Sequence, residues 1–246
     1  MPDSVIPVPA ATVMVLRDGA DGIEVFMLQR HLDSDFVGGA YVFPGGKVDE
    51  QDKWLDADLA DATTEDVGFR AAAVRETFEE SGILLTTRPL PREANVEKAR
   101  MRLSARGKHW DWRPWLRRHD AQLALSSLAW WSWWVTPEGP HRRFDTRFYL
   151  CAAQRDHNAR HDGTETTDSF WITPVEALEA AGEGSVSIIL PTRKNLEGLL
   201  VFDSAADAVE ATKARPDDPP RIEPVMTEIE GEILINHPSF DRPERF

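Results

Sequence analysis

Cysteine occurs once in the 246 residues, as Cys151, which excludes an intramolecular disulfide and leaves the fold to packing alone. That thiol sits inside an apolar run, the setting of a buried, inert cysteine rather than of a nucleophile. No apolar stretch reaches the roughly 18–20 residues that cross a bilayer, and the N-terminus shows no basic segment leading into an apolar one. The expectation is a chain that is neither secreted nor membrane-spanning, at home in a reducing, cytoplasmic setting. Positive charge is scarce as well: 28 Lys and Arg against 42 Asp and Glu leave a formal net charge of −14. That balance speaks against sequence-independent nucleic-acid binding, which needs many cations facing phosphates. The seven histidines show no metal-ligand spacing, which disfavours zinc. No internal repeat is present, and the length suits a single domain.

What is present is a concentration of carboxylates in Arg75-Glu76-Thr77-Phe78-Glu79-Glu80-Ser81-Gly82-Ile83. At about 100° of rotation per helical residue, Glu76, Glu79 and Glu80 share one face while Val67, Ala71, Val74 and Phe78 share the opposite one. An anchored back and an acidic front follow. Arg75, four residues before Glu79, is placed to pair with it and to offset part of the repulsion, and Mg²⁺ or Mn²⁺ would offset the rest. Upstream, Phe43-Pro44-Gly45-Gly46 supplies a loop whose glycines let the backbone approach a ligand and leave a carbonyl for a metal. Three carboxylates alone read best as a solvated helix with ordinary charge pairs. In register with the arginine and the glycines, they point to a divalent-metal site.

Loop and helix together resemble the Nudix hydrolases, whose box runs Gly, five residues, Glu, seven residues, then Arg-Glu-apolar-x-Glu-Glu-x-Gly-apolar. Gly46 and the run from Arg75 to Ile83 match it. The Gly46 to Arg75 spacing is fifteen residues longer than the box, Val67 stands eight before the arginine where Glu is expected, and Thr77 replaces an apolar residue. The resemblance implies that the absent glutamate is a supporting residue, with Asp66 or Glu65 as substitutes, and that about 48–64 bulges out as an inserted loop. Segments 25–30, 36–46, 134–137 and 142–148 are further similar to the peroxisomal-type coenzyme A diphosphatases, and the likeness runs from about Ala10 to Pro174. A second coenzyme A-cleaving group has an arginine where this chain has Asp35. The final residues, Arg242 to Phe246, form no peroxisomal tripeptide.

The implied fold class is α/β: an α/β/α sandwich around a mixed sheet in one domain, with the box at 43–83, a helical insert at about 92–128 and a C-terminal helical extension at about 190–246. The implied activity is hydrolysis of a nucleoside diphosphate linked to another moiety, coenzyme A or acyl-coenzyme A first, giving 3′,5′-ADP and an (acyl)phosphopantetheine. ADP-ribose, NADH or dinucleoside polyphosphates, or a non-catalytic nucleotide-binding regulator, stay open. By the same resemblance, Glu76, Glu79, Glu80 and the Gly46 carbonyl hold Mg²⁺ or Mn²⁺ with Arg75 in support, and Glu76 or Glu165 is the general base. Arg30, Arg143, Arg147 and Phe43 are candidate substrate contacts. The expected partner is a small nucleotide diphosphate, with neither nucleic acid nor membrane, and a homodimer is open.

Periodicity predicts strands at 11–16 and 23–30, 41–43, 83–87, 130–135 and 143–152, with β structure again at 222–235. Helices are predicted from 64 or 66 to 81, ending at Gly82, and at 93–106, 113–125, 174–181, 192–200 and 205–214. Strict alternation puts Trp130 and Trp134 on one face of their strand and Trp131 and Trp133 on the other, as core rings in preference to an adenine stack. Arg113, Arg117 and Arg118, like Arg142, Arg143 and Arg147, can hold a phosphate or pair with surface acids.

Overall fold

The computed structural model of the protein describes residues 5–31, 38–105, 110–153, 166–229 and 232–245. In chain order the strands are β1 (Val8–Asp18), β2 (Ile23–Arg30), β3 (Tyr41–Val42), β4 (Gly45–Lys47), β5 (Ala129–Val135), β6 (Phe144–Ala152), β7 (Thr166–Ile172), β8 (Arg221–Ile222), β9 (Val225–Ile229), β10 (Glu232–Asn236) and β11 (Glu244–Arg245). The helices are α1 (Glu50–Lys53), α2 (Val67–Ser81), α3 (Val96–Leu103), α4 (Arg113–Arg118), α5 (Pro174–Gly182), α6 (Leu190–Leu199) and α7 (Ala205–Lys213).

β1 organises the main sheet. It runs parallel to β6 from Val8 to Leu16, and its other edge is shared: Leu16–Asp18 pair with β2, whereas Ala10–Thr12 pair with β4. The sheet therefore splits beside β1, with β3 and β7 continuing from β2 and with β5 and β8 continuing from β6. Parallel and antiparallel pairs make it mixed, and β9, β10 and β11 form a separate small sheet. Alternation along β1 sends Ala11, Val13 and Val15 into one core beneath α2, and Met14 and Leu16 into another packed against α5, α6 and α7. The result is an α/β/α sandwich. No helix among the described residues is long and apolar enough to cross a membrane.

α2 ends where the sequence places its stop: Gly82 adopts φ 77°, and its N–H bonds to Phe78 O at 2.9 Å. Arg100 of α3 seals that end, giving Nε–H to Glu79 O at 3.0 Å and Nη2–H to Glu80 O at 2.8 Å. No residue of α2 is exposed, so the acidic front is walled by neighbouring elements instead of facing open solvent.

Other expectations yield to tertiary context. Residues 83–87 form no strand beyond an isolated bridge between Thr86 and Leu123. The helix expected over 93–106 breaks at Asn95 (φ 48°), leaving a 3-10 turn and α3, and α4 stops before Asp120 (φ 50°). Part of the stretch expected to bulge out at 48–64 folds inward as α1, carrying a buried Asp52. Arg113 pairs with Asp111, and Arg117 with Asp56 and Asp58, so those cations meet surface acids.

Gly82→Ala should destabilise the protein by about 1–2 kcal/mol in urea melts, because a Cβ there is strained at positive φ and would stand 3.1 Å from Arg100 Nη1. Gly182→Ala, where a Cβ would meet nothing within 4 Å, should be neutral or slightly stabilising.

Candidate active site

The box residues assemble around Arg75, which is only 2% exposed. Its Nε–H and one Nη2–H reach Asp52 Oδ1 and Oδ2 at 3.0 and 2.8 Å, and the other Nη2–H reaches Lys47 O at 2.9 Å. Nη1 donates to Glu76 Oε1 at 2.9 Å and to Glu79 Oε1 at 2.8 Å. All five donors of the guanidinium are thereby used. The fork ties three pieces of chain together: the strand leaving the Gly-Gly loop, helix α1, and α2.

Asp52, 1% exposed, was not singled out from the sequence. Its signal was nonetheless there. Counting six positions forward from Gly46, instead of eight back from Arg75, lands on Asp52, a carboxylate where the box has glutamate. The extra fifteen residues thus lie between Asp52 and Arg75. Asp66, the substitute expected from sequence, does other work. It sits about 15 Å up the helix from Glu76 at 1.5 Å per residue, bonded to Arg70 Nε at 2.8 Å and to the Tyr149 hydroxyl at 2.9 Å. Glu65 is exposed.

β4 brings the glycines to the carboxylates. A Cβ on Gly46 would lie 2.5 Å from Glu76 Oε1, so only glycine leaves room for that side chain. Gly45 N–H donates to Glu80 Oε2 at 2.9 Å. Val13 N–H bonds to Pro44 O and Val48 N–H to Pro9 O, which makes Ala11 and Gly46 the hydrogen-bonded pair of the ladder between them. The Gly46 carbonyl expected as a metal ligand therefore faces β1. Gly45, in the alternate position, turns both its N–H and its C=O away from β1 toward α2, and its oxygen is the one presented to the site.

The donor set is hard oxygen throughout, which suits Mg²⁺ or Mn²⁺ and not a soft metal. Among the described residues these carboxylates are not gathered into a metal-ligand cluster, because Glu76 and Glu79 lean on Arg75 and Glu80 on Gly45. Burial works against the Arg75 charge, but Glu76, Asp52 and Glu79 outweigh it and hold its pKa above the ordinary value. Burial pushes Glu76 up to about 8, Arg75 opposing and Glu79 adding repulsion. Burial raises Glu79 as well, against the pull of Arg75.

The other expected site residues divide. Arg147 pairs across the sheet with Ala11, which pairs with Gly46, so it lies on the α2 face; its guanidinium carbon is 4.0 Å from the Phe69 ring centroid and 4.3 Å from that of Trp130. Its Nε is buried without a hydrogen-bond partner among the described residues, as is that of Arg30 at the end of β2. Arg143 is corrected to a structural role: it is buried, bonding Thr136 O, Val5 O and Glu223. Phe43 is corrected too, being 4% exposed and packed in the core opposite α2 with Met14 and Leu16. Glu165 lies outside the described residues.

The family described as the NUDT19 Nudix domain matches residues 54–197. The chain is 30% identical over 215 residues to an acyl-coenzyme A diphosphatase NUDT19 of Xenopus laevis, covering 66% of this chain and 56% of that protein. It is 28% identical over 237 residues to the Homo sapiens protein of that name, covering 76% and 63%. The chain thus spans about six-tenths of the length of these curated relatives. Among solved structures, a NUDIX hydrolase from Alicyclobacillus acidocaldarius superposes with TM-score 0.73 at 28% identity, covering 86% of this chain and 99% of that one.

Asp52→Ala should cost about 3–5 kcal/mol in chemical denaturation, as it strands a buried guanidinium. In EDTA, stability should fall as pH rises from the ordinary 4.5 of a glutamate through about 8, because folded Glu76 binds its proton more tightly than the unfolded chain does. The ceiling for one proton is about 1.4 kcal/mol per pH unit, and Glu76→Gln should flatten the slope measured by melting between pH 5 and 8.

Proposed function

Since the chain belongs to the Nudix family, matching the NUDT19 Nudix domain over more than half its length, we propose that it hydrolyses the diphosphate of coenzyme A or an acyl-coenzyme A. The products are 3′,5′-ADP and the corresponding (acyl)phosphopantetheine. The observation that carries this reading is the Arg75 fork, which holds Glu76 and Glu79 beside the Gly45-Gly46 strand with Glu80 on the Gly45 N–H. The likeness to proteins named acyl-coenzyme A diphosphatase supports the substrate.

Nudix hydrolases generally need a divalent metal. Here Glu76, Glu79, Glu80 and the carbonyl oxygen of Gly45 would hold Mg²⁺ or Mn²⁺. Such an ion supplies positive charge to the diphosphate oxygens and makes nearby water more acidic. The chain supplies the rest. Arg75 fixes the rotamers of Glu76 and Glu79, so those oxygens are oriented before substrate arrives. Water adds to one phosphorus, the bridging P–O bond breaks, and the departing phosphate takes the electron pair. Glu76 or Glu165 accepts the proton of the attacking water. Of the expected substrate contacts, Arg147 and Arg30 remain, Arg147 on the α2 face beside Phe69 and Trp130.

Incubation with Mg²⁺ and coenzyme A, acetyl-coenzyme A, ADP-ribose, NADH and diadenosine polyphosphates, followed by mass spectrometry, should release 3′,5′-ADP from the coenzyme A compounds. Cleavage only elsewhere in the panel would discard the substrate, and silence throughout would favour a nucleotide-binding regulator. Glu79→Gln and Glu80→Gln should each lower turnover by about 10²–10⁴-fold with little change in melting temperature. In pH–rate profiles, whichever of Glu76→Gln and Glu165→Gln removes the fall in rate on the acid side identifies the base, because a base acts only when unprotonated.

A further inference from the structure

β5 bulges at Trp131, since Trp130 pairs with Tyr149 but Ser132 pairs with Phe148. Trp130 and Trp133 consequently share the α2 face with Arg147, while Trp131 and Trp134 turn together into the opposite core. The Arg147 guanidinium carbon is 4.3 and 5.5 Å from the centroids of the Trp130 and Trp133 rings and 4.0 Å from that of Phe69 on α2. All three rings are half-buried, and the Arg147 side chain is 18% exposed. With rings crowding the guanidinium carbon, what a ligand can address is its N–H edge. Nε is buried, but Nη1 and Nη2 are not, and neither donates a hydrogen bond among the described residues.

The neighbouring charges are already engaged. Asp66, the one carboxylate within 4 Å of Arg147 among the described residues, stands 3.8 Å from Nη1, beyond hydrogen-bond reach. Its oxygens accept instead from Arg70 Nε at 2.8 and 3.0 Å and from the Tyr149 hydroxyl at 2.9 Å. Asp145 takes the Trp133 indole N–H at 2.6 Å. Arg221, 6.0 Å from the Trp133 centroid, is bonded to Glu223. One carboxylate thus serves two guanidiniums, and Arg147 keeps its Nη donors open. Aromatic faces hold such a cation in place without neutralising it.

Arg147 also stands at a useful distance from the box. It pairs with Ala11, and Ala11 with Gly46, so its backbone lies two strands, about 10 Å, from the glycine. Phe69 precedes Glu76 by seven residues, again about 10 Å along α2. A ribose with a phosphate on either side bridges a gap of that order. On the coenzyme A reading above, on which this inference rests, the scissile diphosphate lies at the carboxylates and the substrate's remaining anion is the phosphate on its ribose. We propose that Arg147 binds this ribose phosphate through Nη1–H and Nη2–H and thereby selects nucleotides that carry it. A guanidinium edge matches phosphate oxygens in charge and in geometry.

Binding tests this separately from turnover. Calorimetric titration of the full chain with 3′,5′-ADP and with 5′-AMP, which differ by that phosphate alone, should show 3′,5′-ADP held about 10- to 100-fold more tightly, the worth of hydrogen bonds to one charged group. Arg147→Met, which keeps an unbranched stem among the rings, should abolish that preference and leave 5′-AMP affinity within about twofold of the parent. In turnover, the same variant should raise KM for coenzyme A by a like factor, leave kcat within about threefold, and spare 3′-dephospho-coenzyme A. Failure of the parent to bind either nucleotide, equal affinity for the two, or a variant that weakens both alike would each overturn the proposal. A parent chain that prefers 3′,5′-ADP through Arg147 yet cleaves neither coenzyme would uphold this site and discard the hydrolysis. Should Arg147→Met fail to fold, Arg147→Lys, which keeps the charge without the fork, should narrow the preference by about threefold or more, and an unchanged preference would overturn the proposal.

Discussion

A guanidinium removed from water is the constraint around which the site is organised. Arg75 cannot shed its proton, so burial obliges the chain to surround it with acceptors. Asp52 and Lys47 O meet that demand from one side, Glu76 and Glu79 from the other. Because the guanidinium is planar and rigid, its neighbours are fixed in angle as well as distance. The position of α2 against β4, the inward fold of α1, and the choice of glycine at position 46 are all consequences of fitting acceptors into that fork. The C-terminal end of α2 is secured separately by Arg100, so the acidic stretch is held at both ends.

The box helix was legible from sequence because a helix repeats its signal: the apolar back, the acidic front and the stop at Gly82 each rest on spacing alone, and each is found. What spacing did not reveal was the neighbourhood. Nothing in the run from Val67 to Ser81 says that other elements will cover its acidic side. Asp52 was hidden by the direction of counting, since an insertion leaves the register intact only on the near side of it. Asn95 and Asp120 interrupt predicted helices through positive φ, which composition does not announce. Phe43 and Arg143 illustrate a further limit: motif position identifies residues near a site, whereas only the three-dimensional core shows which have been consumed by packing.

The tryptophan strand fails to follow alternation for a different reason. A bulge inserts one residue and reverses the facing of everything beyond it. In β5 that separates Trp133 from Trp131 and joins Trp131 to Trp134. One face of the sheet thereby gains rings around Arg147, and the other gains Trp131 and Trp134 as part of its core. The two faces carry different chemistry because of a single backbone irregularity.

The charge balance at Arg75 closes the argument about the box. Asp52, Glu76 and Glu79 set three carboxylates against one guanidinium, an excess of two negative charges before Glu80 is counted. The protein alone relieves this by holding protons on these carboxylates, all of which burial raises, Glu76 to about 8. A proton removes one charge and takes an oxygen out of service as an electron donor. On the function proposed above, a divalent cation would remove two and would take those same oxygens as ligands. An arginine already saturated by its own neighbours has no further donor to give those carboxylates.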